Sequence, residues 1–501
     1  MLALLAPQRL PAPPDGGLFA WTCVASGFLT YSLCVGLQYA QGLLLSAVLA
    51  DATFIAGAPR SSVSWMASME TSMFLLGSLP AGLLRPHLGA RGTMLLGCAL
   101  LTGGALLAAA APSLPVLVAA MCLFGLGTAL PSTVVLTGVQ AWFLTLRGTA
   151  SGLVVCGSGF GAVVFGPLLQ AQIDQGGWRQ AMQCIALVSA IGLPLCALGT
   201  VPLLLAPQPP PQQQQPEGEG SAGQPASDCA PPPPPPAQAE VEASLRLQRH
   251  FEDWPCPEEE LGSGGAAGGA AAPGGSQLAA LYGSQPFLCF LTMIALYGGA
   301  WFIVIAHFNS SCRDNGTSAD EAAVLVSVQG MLNILGRLAM GFAADRLTTL
   351  GVPKIALLQC NVLVMGTATL ALAVPVLQAS KAYQFTYAAV NGGFGGSVPA
   401  LQAPILVDIV GLENLSLAFG MFHAVQAPVV LLAPVAAGAL RAALGNWVLV
   451  WALTGSVVLC GVGIISCMQG LPRDKAPLTL RSAVKGVAGL LGGSKQLLPL
   501  A

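Results

Sequence analysis

The sequence predicts an all-α membrane protein with twelve transmembrane helices in two six-helix bundles. Three observations carry this: too little charge for a water-facing surface, twelve long apolar runs, and a polar segment that parts them six and six. Of 501 residues, 54% are hydrophobic and only 8% are charged. A soluble domain carries about 25% charged residues. The net charge of −2, without a basic cluster, gives no footing for nucleic acid.

Taken in order, the chain opens with a polar tail, residues 1–17. Asp15-Gly16-Gly17 separates Arg9 from the first apolar run, so the arrangement does not match a cleaved signal peptide. A helix needs about 20 apolar residues to span a bilayer. Runs of this kind fall at 18–45, 62–84, 92–111, 115–138, 148–170 and 180–205, which together make the first bundle, 18–205. A second set falls at 284–308, 322–344, 354–375, 383–410, 417–440 and 446–469, within 284–470. Residues 206–283 differ in composition: Pro- and Gln-rich at the start, Pro231 to Pro236 in the middle, Gly and Ala at the end. Ten acids there face only Arg246 and Arg249, which reads as a disordered acidic linker. A basic tail, 471–501, closes the chain.

Lys and Arg in the short loops set the orientation. With both ends of the chain in the cytosol, eleven basic residues collect inside and five outside. Two glycosylation acceptors after the seventh span, Asn309-Ser-Ser311 and Asn315-Gly-Thr317, would then face outward. Asn414-Leu-Ser416 would face inward and stay unmodified. Most of the fourteen cysteines sit in apolar runs as small hydrophobes, and no C-x-x-C pair suggests a metal.

One charge stands apart. Arg337 lies inside Glu321–Asp345, where a mid-span guanidinium costs about 2.5–3.5 kcal/mol on insertion scales. Such a charge marks an ion or substrate path or a structural contact with backbone carbonyls, and its planar fork suits a carboxylate. Asn333, one turn away, would donate an amide bond beside it. Gln38, Tyr39 and Gln41 in the first span would line a cavity with neutral hydrogen-bonding groups, or form an ordinary polar face. Phe394, with Trp301 and Phe302, could pack on an aromatic substrate or anchor at the interface. Three groups could carry a coupled proton: Glu70 in the second span, His423 in the eleventh and His307 at the outer end of the seventh. The glycine runs Gly157-Ser-Gly159-Phe-Gly161 and Asn391-Gly392-Gly393-Phe-Gly395-Gly396 allow close helix approach; without a strand or lysine they are not phosphate loops.

The two halves echo each other. Gly82-Leu-Leu-Arg85-Pro86 follows the second span, and Gly341-Phe-Ala-Ala-Asp345-Arg346 follows the eighth. The pair resembles the G-x-x-x-D-R-x-G-x-R loop of the major facilitator superfamily, with Pro86 where the first copy's acid would stand. That likeness implies the major facilitator fold and a site near midplane between repeats. Pro14-Asp15-Gly16-Gly17-Leu-Phe-Ala-Trp21 and Trp142-Phe143-Leu-Thr-Leu-Arg147-Gly-Thr-Ala-Ser-Gly152 resemble two motifs of the monocarboxylate transporter family. Val63-Ser64-Trp65, Gly177-Trp178-Arg179 and Asp408-Ile-Val-Gly411 add to the likeness, which covers both six-span halves.

The resemblance implies a plasma-membrane carrier, not an enzyme and without a cofactor, that moves a monocarboxylate or related organic anion by alternating access. Asp15, Gly16, Gly17, Trp21, Arg147, Asp345 and Arg346 would then serve as gating or structural motif residues. The family's eighth-span arginine falls on Arg337, but its aspartate four residues earlier is Asn333 here. No Lys or Arg lies between Arg9 and Arg60, so the family's first-span lysine is absent and Tyr39 stands nearest. Proton symport is therefore left open. So are a uniporter of aromatic amino acids or similar amphipathic metabolites, and a non-transporting sensor or scaffold acting through the linker. A single-span accessory subunit is a candidate partner.

Overall fold

The computed structural model describes residues 8–10, 15–39, 41–55, 60–200, 203–205 and 281–468. The acidic linker up to residue 280 and the tail from 469 lie outside the described residues. Nine helices among the described residues are long and apolar enough to cross a membrane. Three of them contain one glycine in the left-handed region: Gly89 (φ 70°), Gly177 (φ 76°) and Gly411 (φ 75°). A side chain at such a φ is strained, so glycine marks the sharp turn where one rod becomes two. Divided there, the nine rods give twelve helical segments.

In chain order these are α1 (Gly17–Ala50), α2 (60–88), α3 (90–109), α4 (Leu114–Val139), α5 (147–176) and α6 (178–199). The second set is α7 (Gln285–Asp314), α8 (Ala319–Thr349), α9 (Lys354–Ala371), α10 (381–410), α11 (412–444) and α12 (Val448–Ser466). Local chemistry sets several ends. Ser318 and Glu321 form a reciprocal capping box that starts α8. Gly445 (φ 71°) ends α11 with its N–H on the Arg441 carbonyl. Two helices contain a π-turn, Ser32–Gly36 in α1 and Asn391–Gly395 in α10. Such turns are rare and are frequent at functional sites.

The fold is all-α as expected, with one short strand pair beside the helices. Gln8–Leu10 (β1) pairs in parallel with Leu203–Leu205 (β2). The sixth helix therefore ends at Gly199 and does not run to 205. Thr200 turns the backbone to an extended conformation, and the strand ties the start of the chain to the end of the first bundle.

With twelve crossings, both ends of the described chain emerge on one face, called here the terminal face. The bundles meet through two related helix pairs. Between α2 and α11, a Cβ at Gly82 would lie 2.4 Å from the Ser416 carbonyl, and one at Gly420 would lie 2.7 Å from that of Ser78. Between α5 and α8, a Cβ at Gly341 would lie 2.5 Å from the Gly148 carbonyl, and one at Gly152 would lie 2.7 Å from that of Arg337. Glycine lets the backbones approach where lipid gives no hydrophobic drive between helices.

On the face away from the termini, Asp51 fixes the link between α1 and α6. Its carboxylate accepts from Thr53 Oγ1 (2.6 Å), Phe54 N (3.1 Å) and Trp178 Nε1 (3.1 Å). These bonds, that from Thr53 foremost, hold the carboxyl below its usual range. A depressed carboxyl contributes stability above the unfolded value, about 3.9, and loses it as pH falls through the folded one. Asp51→Asn should therefore lower the melting temperature by a few degrees at most at neutral pH. The difference from wild type should shrink progressively in melts recorded below about pH 4, as pH falls toward the lowered folded value.

Candidate functional site between the bundles

Arg337 is buried on α8, facing the first bundle. Its Nη1 donates to the Val155 carbonyl (2.6 Å) and to Ser158 Oγ, both on α5. Its Nη2 donates to the Tyr39 hydroxyl on α1 (3.0 Å). Its Nε is buried and has no hydrogen-bond partner. One nitrogen is thus fixed by the opposite bundle, while the Nε–Nη2 edge has spare donor capacity. That edge is the side-on fork that holds a carboxylate bidentately. Tyr31 on α1 and Tyr297 on α7 are buried, and the Tyr297 hydroxyl donates to the Gly395 carbonyl (3.0 Å). Trp301 stacks on Tyr297 with ring centroids 6.2 Å apart.

The structure joins some of the expected residues and separates others. Tyr39 is half exposed and touches Arg337. Gln38, its neighbour in sequence, points another way: its amide donates to Thr128 on α4 (3.3 Å) and lies against the carboxyl of Glu70 on α2. Gln41 is buried with its Nε2 unpartnered. Asn333 packs against Gly396 of α10, with its amide nitrogen 2.5 Å from where a Cβ there would stand. It takes part in the packing inside the second bundle. Phe394 lies in the π-turn of α10 and is 40% exposed.

The three titratable candidates differ sharply. His423 bonds Ser78 across the bundles (3.1 Å) and is packed among Phe74, Phe419 and Phe422. His307 meets the Pro434 carbonyl (2.8 Å) and the Trp447 ring (5.3 Å), within the second bundle. Glu70 is fully buried, and neither carboxyl oxygen completes a hydrogen bond. The glycosylation candidates also divide. Asn309 lies within α7, not in the loop after it, and its Oδ1 is buried; the helix runs on to Asp314. Asn315 follows that helix and donates to the Ser311 carbonyl (2.7 Å).

At the terminal face the sequence motifs come together. Asp15 accepts from the Leu144 and Thr145 N–H groups, and its own N–H donates to the Trp142 carbonyl (3.2 Å). Asp15, Gly16 and Gly17 all have positive φ, and Trp21 packs edge-on to Phe143 at 5.3 Å. Arg147 is buried, with its Nε donating to the Phe143 (2.7 Å) and Gln140 (3.3 Å) carbonyls. Asp345 on α8 accepts from the Gly148 (2.8 Å) and Thr149 (2.7 Å) N–H groups in the first turn of α5. At the related place in the first half Pro86 offers no acid. There Arg85 donates to Thr137 Oγ1 (2.8 Å) and Ser416 Oγ instead. Arg346 is exposed. Asp408 pairs with Lys354 at 2.9 Å.

Sequence reasoning missed Val155, Ser158, Tyr31 and Tyr297. Tyrosine in an apolar span was a readable signal for the last two, since a buried hydroxyl wants a polar partner. A main-chain carbonyl such as that of Val155 has no signature in sequence.

Two bundles meeting around a buried arginine, with paired glycine contacts at one face, define a membrane carrier of the two-repeat kind. The Major Facilitator Superfamily profile matches residues 27–380, and the chain belongs to that superfamily as one of its transporters. Within it the chain is similar to the monocarboxylate transporters as a divergent relative. It is 27% identical to monocarboxylate transporter 13 of Bos taurus over 465 residues, covering 90% of each chain. It is 25% identical to monocarboxylate transporter 12 of Homo sapiens, covering 93% of this chain and 82% of that one. Solved structures agree on the fold. The proton:xylose symporter XylE has a TM-score of 0.58 at 13% identity, covering 89% of this chain and 95% of that one. The human organic anion transporter MFSD10 has a TM-score of 0.59 at 14%, covering 89% and 99%.

Proposed function

We propose that the protein carries a monocarboxylate or related small organic anion across the plasma membrane by alternating access, with Arg337 as the anion-binding group. The observation that carries this reading is the unpartnered Nε of a buried arginine whose Nη1 is already fixed on α5. A carboxylate entering between the bundles would accept from Nε and Nη2 and take a further bond from Tyr39. The names of the similar transporters fit this substrate class. With the terminal face in the cytosol, as the eleven-to-five distribution of Lys and Arg favours, the glycine pairs and the Asp345 contact close the inner side.

An aromatic ring at the cation supports a second reading, a facilitative carrier of aromatic acids or amino acids, because Tyr39 lies against Arg337. Uptake into proteoliposomes separates the two. Labelled lactate and pyruvate should enter with saturable kinetics and compete with each other, with tryptophan competing poorly. Strong competition by tryptophan favours the second reading. If none of these acids gives saturable uptake, the carboxylate reading is wrong.

A further inference from the structure

Glu70 is the one buried carboxyl on α2, and the geometry around it is that of a binding site for something very small. Its oxygens are enclosed and unpartnered. An ionised carboxylate in an apolar wall needs several donors or a cation, and an unpaired one carries a cost that a chain seldom bears without use. The elements packed around it supply neither. From α1 comes the Gln38 amide, and from α4 come Gly125, whose Cβ would lie 2.3 Å from the Glu70 carbonyl, and Thr128. Its own helix contributes Met73 beside Gly125. His423 of α11 bonds Ser78, two turns further along α2, and among the described residues no ion pair reaches the carboxyl. A metal ion would need more ligands than these. The ligand that fits a lone carboxyl in such a wall is a proton.

The second observation concerns α1. Gln38 lies against Glu70, while the very next residue, Tyr39, holds Nη2 of Arg337. Two adjacent residues on one short helical piece, Leu37–Tyr39, thus touch the acid and the cation of the site. The π-turn Ser32–Gly36 directly precedes them, so this piece can shift without breaking a regular helix.

We infer that Glu70 is the proton-binding group of this carrier and that Gln38 and Tyr39 tie its protonation to the occupancy of Arg337. The inference rests on the carrier reading above. In the acid form Glu70 needs no further donor, Gln38 stays on Thr128, and Tyr39 stays on Arg337. Loss of the proton leaves a carboxylate that draws the Gln38 amide from Thr128. That movement pulls Tyr39 from Nη2 and loosens the grip on the substrate anion. Proton and anion would then travel together through α1, without the aspartate–arginine pair that Asn333 precludes.

Two measurements test this in lipid-reconstituted protein. The first is infrared difference spectroscopy, which needs no substrate. Wild type should show the C=O band of a protonated carboxyl at neutral pH, and Glu70→Gln should lack it. If the band survives the substitution, or wild type has none, Glu70 is not the proton site. The second is uptake of labelled lactate with and without an inward proton gradient. The gradient should stimulate wild type several-fold and leave Glu70→Gln, a neutral mimic of the acid, unstimulated while lactate exchange continues. Gln38→Leu should reduce the stimulation and keep the infrared band. Undiminished gradient stimulation in Glu70→Gln overturns the inference. Absence of any lactate uptake or exchange in wild type would instead count against the carrier reading, with the infrared band still deciding the proton site.

Discussion

Arg337→Gln, delivered to the membrane at wild-type level, should lose about 100-fold or more in apparent affinity for the transported anion. The guanidinium edge offers two charge-assisted hydrogen bonds from Nε and Nη2 to one carboxylate, in a site enclosed by protein. Truncating one partner of a buried, hydrogen-bonded charge pair costs about 2–5 kcal/mol, and every 1.4 kcal/mol is tenfold. Glutamine can still donate toward the Val155 carbonyl or Ser158, so the fold should hold while the anion loses its counter-charge. Arg337→Lys keeps the charge but gives up the planar fork, and the expected loss is nearer tenfold. Tyr39→Phe removes a single hydroxyl at the edge of the guanidinium and should weaken affinity severalfold at most. The measurement is concentration-dependent uptake in proteoliposomes, paired with melting curves of each variant. Unchanged affinity in a well-folded Arg337→Gln would place the anion elsewhere and leave Arg337 as a structural tie between α8 and α5.

How far the sequence reaches is clear from these residues. The twelve spans were legible because lipid requires long apolar helices, a constraint written directly in composition. The ends of α8 and α11, set by a capping box and a left-handed glycine, lie beyond the apolar runs that marked those spans. The pairing of β1 with β2 was not, since residues 8–10 and 203–205 meet only after six crossings. Arg337 announced itself by cost alone. Its partners did not, because two of the groups that hold it, the Val155 carbonyl and Ser158, are common chemistry on a helix far away in sequence. The packing of Asn333 was hidden for the same reason. Helical spacing puts it on the arginine's face, but Gly396 of α10 leaves room for its amide and takes it into the second bundle. Spacing reports direction around one helix and says nothing about which neighbour has a gap.

The Asp345 carboxylate should prove the stronger of the two latches at the terminal face, and Asp345→Asn should bias the carrier toward opening there. The acid caps the first turn of α5, taking two N–H groups that have no partner within the helix, at the end where the helix dipole favours negative charge. It stands on the opposite bundle, so these bonds exist only while the two bundles are closed on this face. A cap of this kind contributes about 1–2 kcal/mol. Removing its charge should shift the ratio of closed to open forms by about 5- to 30-fold. The related contact in the first half cannot compensate. Pro86 carries no charge, and Arg85 meets only the hydroxyls of Thr137 and Ser416. Closure is thus asymmetric, with the ionic tie on the α5–α8 side and a neutral tie on the α2–α11 side. Labelling rates of a cysteine introduced at Thr149 read the difference, because that position faces Asp345 when closed. Faster labelling in Asp345→Asn from the terminal face is the expected result, together with a lower turnover for net uptake. Equal rates in the two backgrounds would mean that the glycine contacts of Gly82 and Gly341 alone hold the face shut.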